Sequence, residues 1–422
     1  MEAIVMFLNL SMAYKISRLY LNWLPSVVVA LFLPIFLLNQ GSFAFGDSAE
    51  EFSIPFLMTF LYIILKHFKL QSDTPFSWKV FFINGLLIGC VFWIKYTLVG
   101  IWIGFYLAVL IICISKKSWR ELLNAVVFTF FGLVIATLPW FVYFGINHAI
   151  KDVIDVYIKF NLFTYSSELG TLGKLLNSAV IFGRAFNGNI EGKILMLIGM
   201  TAFIFTKKYL VNANQKWFFY CSVVFTIVGV YFGGRSYPYY FLIITPFSLF
   251  GLIAIADFIQ NKLKPEIEGL NKGRWFSLSI VALTAFYLCF GVNANIEYSK
   301  FYMKDPLPQQ TFANIMRQEP NPTLLNYGAL DGGFYLAADI TPNIRYFQSQ
   351  NIDHALYPEN MDEQHRYIKE GLVQFVVVRL FGLTPPEQVD IPHLADRYEL
   401  VSQQDQLLGG TQFRYLLYKK VK

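Results

Sequence analysis

Three polar stretches interrupt an otherwise apolar chain, and their residue types suit proton transfer and anion binding. The stretch FGDSAEEF, residues 45–52, brings Asp47, Glu50 and Glu51 within five positions. Carboxylates this close either share a divalent cation through oxygen ligands or contact an acceptor hydroxyl and take its proton. Asp47, Glu50 and Glu51 are therefore the catalytic candidates, and Asp47 with Glu50 the candidate metal ligands; a divalent metal is the only cofactor the sequence suggests. The same stretch also reads as a helix start. Ser48 and Glu51 have capping-box spacing, and acids favour a helix N-terminus.

The second stretch, GGRSYPYYFLIITPF at 233–247, holds Arg235 after two glycines and ahead of Tyr237, Pro238, Tyr239 and Tyr240. A guanidinium offers a planar fork that binds phosphate oxygens in pairs. Read structurally, the stretch is an interfacial turn whose Tyr and Arg belong to an aromatic belt. Lys95, in FWIKYTLVG, stands at a similar depth, as a second phosphate ligand or as a lysine snorkelling to the interface. Arg235, Lys95, Tyr237 and Tyr239 form the expected phosphate-binding set. The third stretch is the long loop 147–192. Ile150, Val153, Ile154, Tyr157 and Ile158 repeat there at helical spacing. This predicts an amphipathic helix on a membrane surface, either a plain connector or the wall of a groove.

The elements that must position these residues are membrane spans. The chain has 422 residues, 55% hydrophobic and 15% charged, against roughly 25% charged in soluble domains. Apolar runs such as LVGIWIGFYLAVLIICI approach the ~20 residues that cross a hydrocarbon core, and backbone in hydrocarbon must be helical. Ten segments follow: 3–14, 24–40, 52–66, 79–94, 98–115, 122–146, 193–206, 217–233, 239–258 and 276–293. The first lacks the basic region and cleavage site of a signal peptide and reads as the tail of a span. Cys90, Cys113, Cys221 and Cys289 all fall in these runs without metal or disulfide spacing.

Loops taken alternately hold 15 Lys/Arg in one set and 7 in the other, so the first set is cytoplasmic. KKSWR and NKLKPEIEGLNKGR carry the bias most clearly. FGDSAEEF, the loop 147–192, the GGRSYPYY turn and everything from 294 onward are then extracytoplasmic. Residues 1–293 hold 22 Lys/Arg and 13 Asp/Glu, while 294–422 hold 12 and 15. That boundary separates a multi-span membrane domain, 1–293, from a soluble domain, 294–422. In the latter, PTLLNYG, QFVVVRL, YELVSQ and FRYLLYKK read as strands and PQQTFANIMRQE as a helix, a small α/β arrangement. His354, His365 and His393 are isolated there. Basic residues spread over inner loops give nucleic acid no footprint.

Three stretches together resemble the C-type membrane glycosyltransferases, in particular the protein O-mannosyltransferase-like and aminoarabinose-transferase-like branch. GDSAEEFSIPFL is similar to the acidic second outer loop. GRSYPYYFLIITPFSLFG is similar to the Arg-x-Tyr-Pro-(His/Tyr)-Tyr segment and its span, and LLNYGALDGGFYLAADITPNIRYF to the start of the outer domain of bacterial members. The resemblance implies a polyprenyl-phosphate-linked sugar donor, a glycan, lipid or protein acceptor, and a site on the outer face of the cell membrane. It also implies a first outer loop bearing the acid regarded as catalytic base. Here the chain begins within the equivalent of the second span, so an N-terminal truncation is expected and the chain alone lacks that base. Two other classes stay open, a lipid-linked glycan transporter or flippase and a non-catalytic subunit of envelope polysaccharide assembly.

Overall fold

The computed structural model describes residues 1–38, 43, 46–70, 74–164, 169–185, 190–263, 272–292, 306–327, 330, 333–349, 352–408 and 411–421. Phe45 of the acidic stretch, parts of the loop 147–192 (165–168, 186–189), most of NKLKPEIEGLNKGR, the junction near 294 and four residues of LLNYGALDGGFYLAADITPNIRYF lie outside them. The chain divides into two compact units, Met1–Glu297 and Tyr298–Lys422.

The first unit is helical: α1 (Glu2–Ser17), α2 (Trp23–Leu37), α3 (Ala49–Leu70), α4 (Trp78–Lys95), α5 (Gly100–Ser115), α6 (Trp119–Ile146), α7 (Thr171–Ala185), α8 (Ile190–Phe205), α9 (Ala213–Tyr231), α10 (Ser248–Leu263) and α11 (Lys272–Val292). Each of the ten apolar segments of the sequence is mainly helical in its described residues; 239–258 is broken into 3-10 pieces and a turn before α10 begins at Ser248. Among the described residues, four helical stretches have the length and apolarity to cross a membrane: Ala49–Leu70, Trp78–Ser115, Trp119–Ile146 and Pro238–Lys262. Others, such as the 15-residue α2, are shorter than a full crossing. The unit is polytopic and helical.

Trp78–Ser115 is not one long helix. It breaks at Lys95, whose backbone is extended (φ −162°, ψ 107°), and a 3-10 turn over Tyr96–Val99 leads into α5. The arms run antiparallel: Trp102 Nε1 donates to Asn84 Oδ1 at 3.1 Å, and the Phe81 and Tyr106 rings face each other. Each arm carries a Gly-x-x-x-Gly pair, Gly85/Gly89 and Gly100/Gly104. A Cβ on Gly85 would lie 2.2 Å from the Thr129 carbonyl oxygen of α6, and one on Gly104 2.1 Å from that of Cys221 in α9. Between apolar helices in lipid, association comes from close van der Waals packing, which only small residues permit. The hairpin is thus clamped on both sides, and its tip carries Lys95.

The second unit is an α/β layer with strands β1 (Leu324–Asn326), β2 (Phe375–Phe381), β3 (Tyr398–Leu408) and β4 (Thr411–Lys420) in the order β1-β2-β4-β3. β1 and β2 are parallel, and the other pairs antiparallel. Phe375 and Val377 pack on one face with Phe312 and Phe334, while Val376 and Val378 pack on the other with Ile368. Burial on both faces explains the unbroken apolar run of β2. The helix Pro358–Glu370 stops at Gly371, whose φ of 65° is the left-handed conformation of a helix C-terminus. His354, His365 and His393 bond Asp362, Tyr327 and Asp396.

Candidate functional site

The start of α3 is built as the Ser48/Glu51 spacing predicts. Ser48 Oγ accepts the Glu51 N–H at 3.2 Å, and the Glu51 carboxylate accepts the backbone N–H groups of Asp47 and Ser48. Gly46 and Asp47 lead in with positive φ, 50° and 43°, a conformation Gly and Asp tolerate. This turn leaves Asp47 exposed while Glu50 and Glu51 are buried. Burying a carboxylate requires a partner, and for Glu50 it comes from the hairpin tip. Lys95 Nζ lies 2.5 Å from Glu50 Oε1, the two side chains being 24% and 1% exposed.

The GGRSYPYY turn closes over the same pair. The Lys95 ammonium is 4.0 Å from the Tyr240 ring centroid and 5.5 Å from that of Tyr239, an attractive arrangement of cation and ring face. Tyr237 stacks on Tyr239 with the rings 10° from parallel. The Glu50 charge also acts on the hydroxyls of Tyr231 and Tyr239. Asp47 and Glu2, the first acid of α1, lie within electrostatic range of Glu51.

Beside this pair opens a cavity of about 560 Å³. Its polar lining includes Lys95, Lys174, Arg235, Tyr157, Asn161 and Tyr240; the rest is mainly apolar, with Ile103, Leu162, Phe225 and Phe232. Three cationic side chains from three separate elements thus meet in one apolar-walled space. Such a space suits an anion carried on a hydrocarbon chain, since Arg and Lys bind phosphate oxygens by charge-assisted hydrogen bonds.

The structure brings Arg235 and Lys95 onto one wall and ties Lys95 to Glu50. Tyr239 lies against Lys95, with Tyr237 stacked behind it, and Tyr240 is the tyrosine on the cavity wall. Among the described residues, no three His, Cys, Asp or Glu side chains converge as a metal centre, and Glu50 Oε1 is engaged by Lys95. All four cysteines are unbridged.

The loop 147–192 forms part of this wall. Its helix starts at Ile150 and continues as a wider π-helix over Val153–Thr164. The Tyr157 hydroxyl donates to the Phe92 carbonyl oxygen, and its ring stacks on Trp93. Lys174 arrives from α7. Sequence reasoning missed Lys174, Asn161 and Glu2 as site residues; the only signal for Lys174 was its place among the few basic residues of the outer set. Lys193 is another outer-set residue, buried, with Nζ donating to the Ala185 carbonyl oxygen at 2.5 Å. At the far end of α10, Asp257 accepts from Lys208 at 2.5 Å and from the Tyr209 hydroxyl at 2.9 Å.

No protein-family model matches the chain, and no curated protein matches it by sequence. Solved structures do match. ArnT from Cupriavidus metallidurans bound to undecaprenyl phosphate aligns with a TM-score of 0.55 at 14% identity, over 99% of this chain and 83% of that one. The apo state of the same protein aligns with a TM-score of 0.55 at 13% identity, over 99% and 82%. At this identity the likeness is one of fold, and it extends over the whole chain.

Proposed function

We propose that this chain, which has the ArnT fold, is a membrane glycosyltransferase that moves a sugar from a polyprenyl-phosphate donor to an acceptor hydroxyl on the outer face of the cell membrane. The observation that carries this reading is the apolar-walled cavity in which Lys95, Lys174 and Arg235 meet beside the buried Glu50. An ArnT structure holds undecaprenyl phosphate, a phosphate on a long apolar chain, and the cavity here has the complementary chemistry.

In this reading the lipid phosphate rests on Arg235, Lys95 and Lys174, with Tyr239 and Tyr237 supporting Lys95 from behind. The acceptor oxygen attacks the anomeric carbon, the bond from that carbon to the phosphate oxygen breaks, and the phosphate leaves with the electron pair. The three cations stabilise the charge that develops on the leaving group. A carboxylate accepts the hydroxyl proton. Asp47 faces the acceptor, because Glu50 is committed to Lys95 and Glu51 to the start of α3. About ten crossings, inner basic loops and an extracytoplasmic domain from 294 onward complete the arrangement.

A transporter would call for ionisable residues at mid-span; Asp257, the nearest buried acid to that description, is tied to Lys208 and Tyr209. To test the enzyme reading, membranes carrying wild-type or Arg235→Ala protein are given a polyprenyl phosphate bearing a labelled sugar. Wild type transfers the label. Arg235→Ala loses about a hundredfold or more, the usual cost of deleting one donor to a developing anion, at unchanged membrane insertion. Normal transfer by Arg235→Ala rejects the assignment.

A further inference from the structure

The opposite end of the α4–α5 hairpin carries a second, unrelated pair of cavities. Each arm is 16 to 18 residues long, so this end lies roughly 25 Å from Lys95 at 1.5 Å per residue. It is the basic end of the bundle, where Lys69 closes α3, Lys79 opens α4, Lys116 follows α5 and Lys216 lies in the first turn of α9. One cavity, about 170 Å³, is polar on one side, with His67, Thr74, Lys116, Glu121, Asn214 and Gln215 among its lining. The other, about 240 Å³, is mainly apolar, lined by Ala108, Ile111, Ile112 and Trp217 as well as Ser115. The two share Ile112, Lys116 and Asn214. Ile111 and Trp217 are 53% and 62% exposed, so the apolar cavity opens toward the side of the bundle, and Trp favours the membrane interface.

The charges in the polar cavity are of opposite sign and are not satisfied by each other. Among the described residues neither Lys116 nor Glu121 makes an ion pair, although both lie within electrostatic range of the Cys113 thiol. His67 is held in place, its ring 4.3 Å from that of Phe76 and Nε2 3.0 Å from the Thr74 carbonyl oxygen. We infer that this end of the bundle binds a zwitterionic phospholipid with a primary ammonium headgroup, its phosphate on Lys116, its ammonium on Glu121 and an acyl chain along Ile111, Ile112 and Trp217. A cation alone fits basic pockets that take anionic lipid. A carboxylate in the same cavity selects a headgroup that also carries a positive charge. The inference stands independently of the donor site at Lys95.

The test is native mass spectrometry of the purified full chain in an equimolar mixture of phosphatidylethanolamine, phosphatidylglycerol and phosphatidylcholine. Wild type retains phosphatidylethanolamine over phosphatidylglycerol by about fivefold, the size expected of one partly exposed charge pair. Phosphatidylcholine, whose ammonium has no N–H to donate, is retained no better than phosphatidylglycerol. Glu121→Gln brings the phosphatidylethanolamine-to-phosphatidylglycerol ratio to one, and Lys116→Gln lowers retention of both. Equal retention of the three lipids by wild type, or an unchanged ratio in Glu121→Gln, overturns the inference.

Discussion

Removing Lys95 tests how the site is held together. Glu50 is fully buried, its side chain 1% exposed, and its hydrogen-bonded cation is Lys95 at 2.5 Å. Breaking a buried ion pair from one side costs about 3–5 kcal/mol, because a charge is left without a partner in low dielectric. Lys95 itself is 24% exposed, so the lower end applies, and Lys95→Met should destabilise the protein by about 3 kcal/mol. The reverse change is milder. Glu50→Gln leaves an ammonium that reaches water and still lies over the Tyr240 ring, and it should cost about half as much. The double variant Glu50→Gln/Lys95→Met removes both charges and should be no less stable than Lys95→Met alone, about 3 kcal/mol below wild type where simple addition gives about 4.5, a coupling energy on the order of 1–2 kcal/mol in a double-mutant cycle. Thermal unfolding of the detergent-solubilised protein reads the stability, and transfer from a labelled donor reads the activity. Lys95→Met and the double variant lose transfer, since Lys95 also lines the cavity proposed for the donor. Additive destabilisation in the double variant, or full transfer by Lys95→Met, would refute the reasoning.

Lys174→Ala, which removes one cation from the cavity and leaves the Glu50–Lys95 pair intact, should raise the half-saturating donor concentration about tenfold without changing stability, measured by transfer at varied donor. Gly104→Ala places a Cβ 2.1 Å from the Cys221 carbonyl oxygen and should cost about 1–3 kcal/mol by forcing α5 from α9. Gly145→Ala, with nothing within 4 Å of its Cβ, is the matched control and should be neutral in the same unfolding assay. In the second unit Arg414 grips Asp405 through two hydrogen bonds, at 2.7 and 2.9 Å, and holds its carboxyl below the ordinary carboxylate range. A depressed carboxylate pKa stabilises the fold above the unfolded value of about 4 and loses that contribution as pH falls through the folded value. Asp405→Asn should therefore lower stability at pH 7 and leave it unchanged in strong acid, as followed by circular dichroism.

Much of this arrangement is written locally and can be read without coordinates. The apolar runs are helices because their backbone has no other way to be paired. QFVVVRL is a strand buried on both faces, and Ser48 with Glu51 forms the cap their spacing implies. What the sequence does not disclose is pairing at a distance. Glu50 and Lys95 are 45 positions apart, and each alone reads as a boundary charge; only the clamped hairpin brings them together. The Gly-x-x-x-Gly pairs are visible in the sequence, but their partners at Thr129 and Cys221 are not. Lys174 looks like any lysine of an amphipathic loop. The choice among Tyr237, Tyr239 and Tyr240 is made by a 3-10 turn over Pro238–Phe241, whose tighter period no residue spacing announces. The loop 147–192 contains the helix its spacing predicts, but that helix widens over Val153–Thr164 into a π-helix that sets Tyr157 against Phe92.

Photocrosslinking tests the central claim most directly. A polyprenyl phosphate with a photoreactive group in the isoprenoid unit next to the phosphate is irradiated with the membrane-embedded protein, and adducts are mapped by mass spectrometry. The account predicts adducts at cavity-wall residues such as Ile103, Leu162, Phe225 and Phe232, displaced by excess unlabelled polyprenyl phosphate and lost in Arg235→Ala. Adducts spread along the exposed face of α6, at Phe130 and Leu138, and indifferent to Arg235 would contradict it.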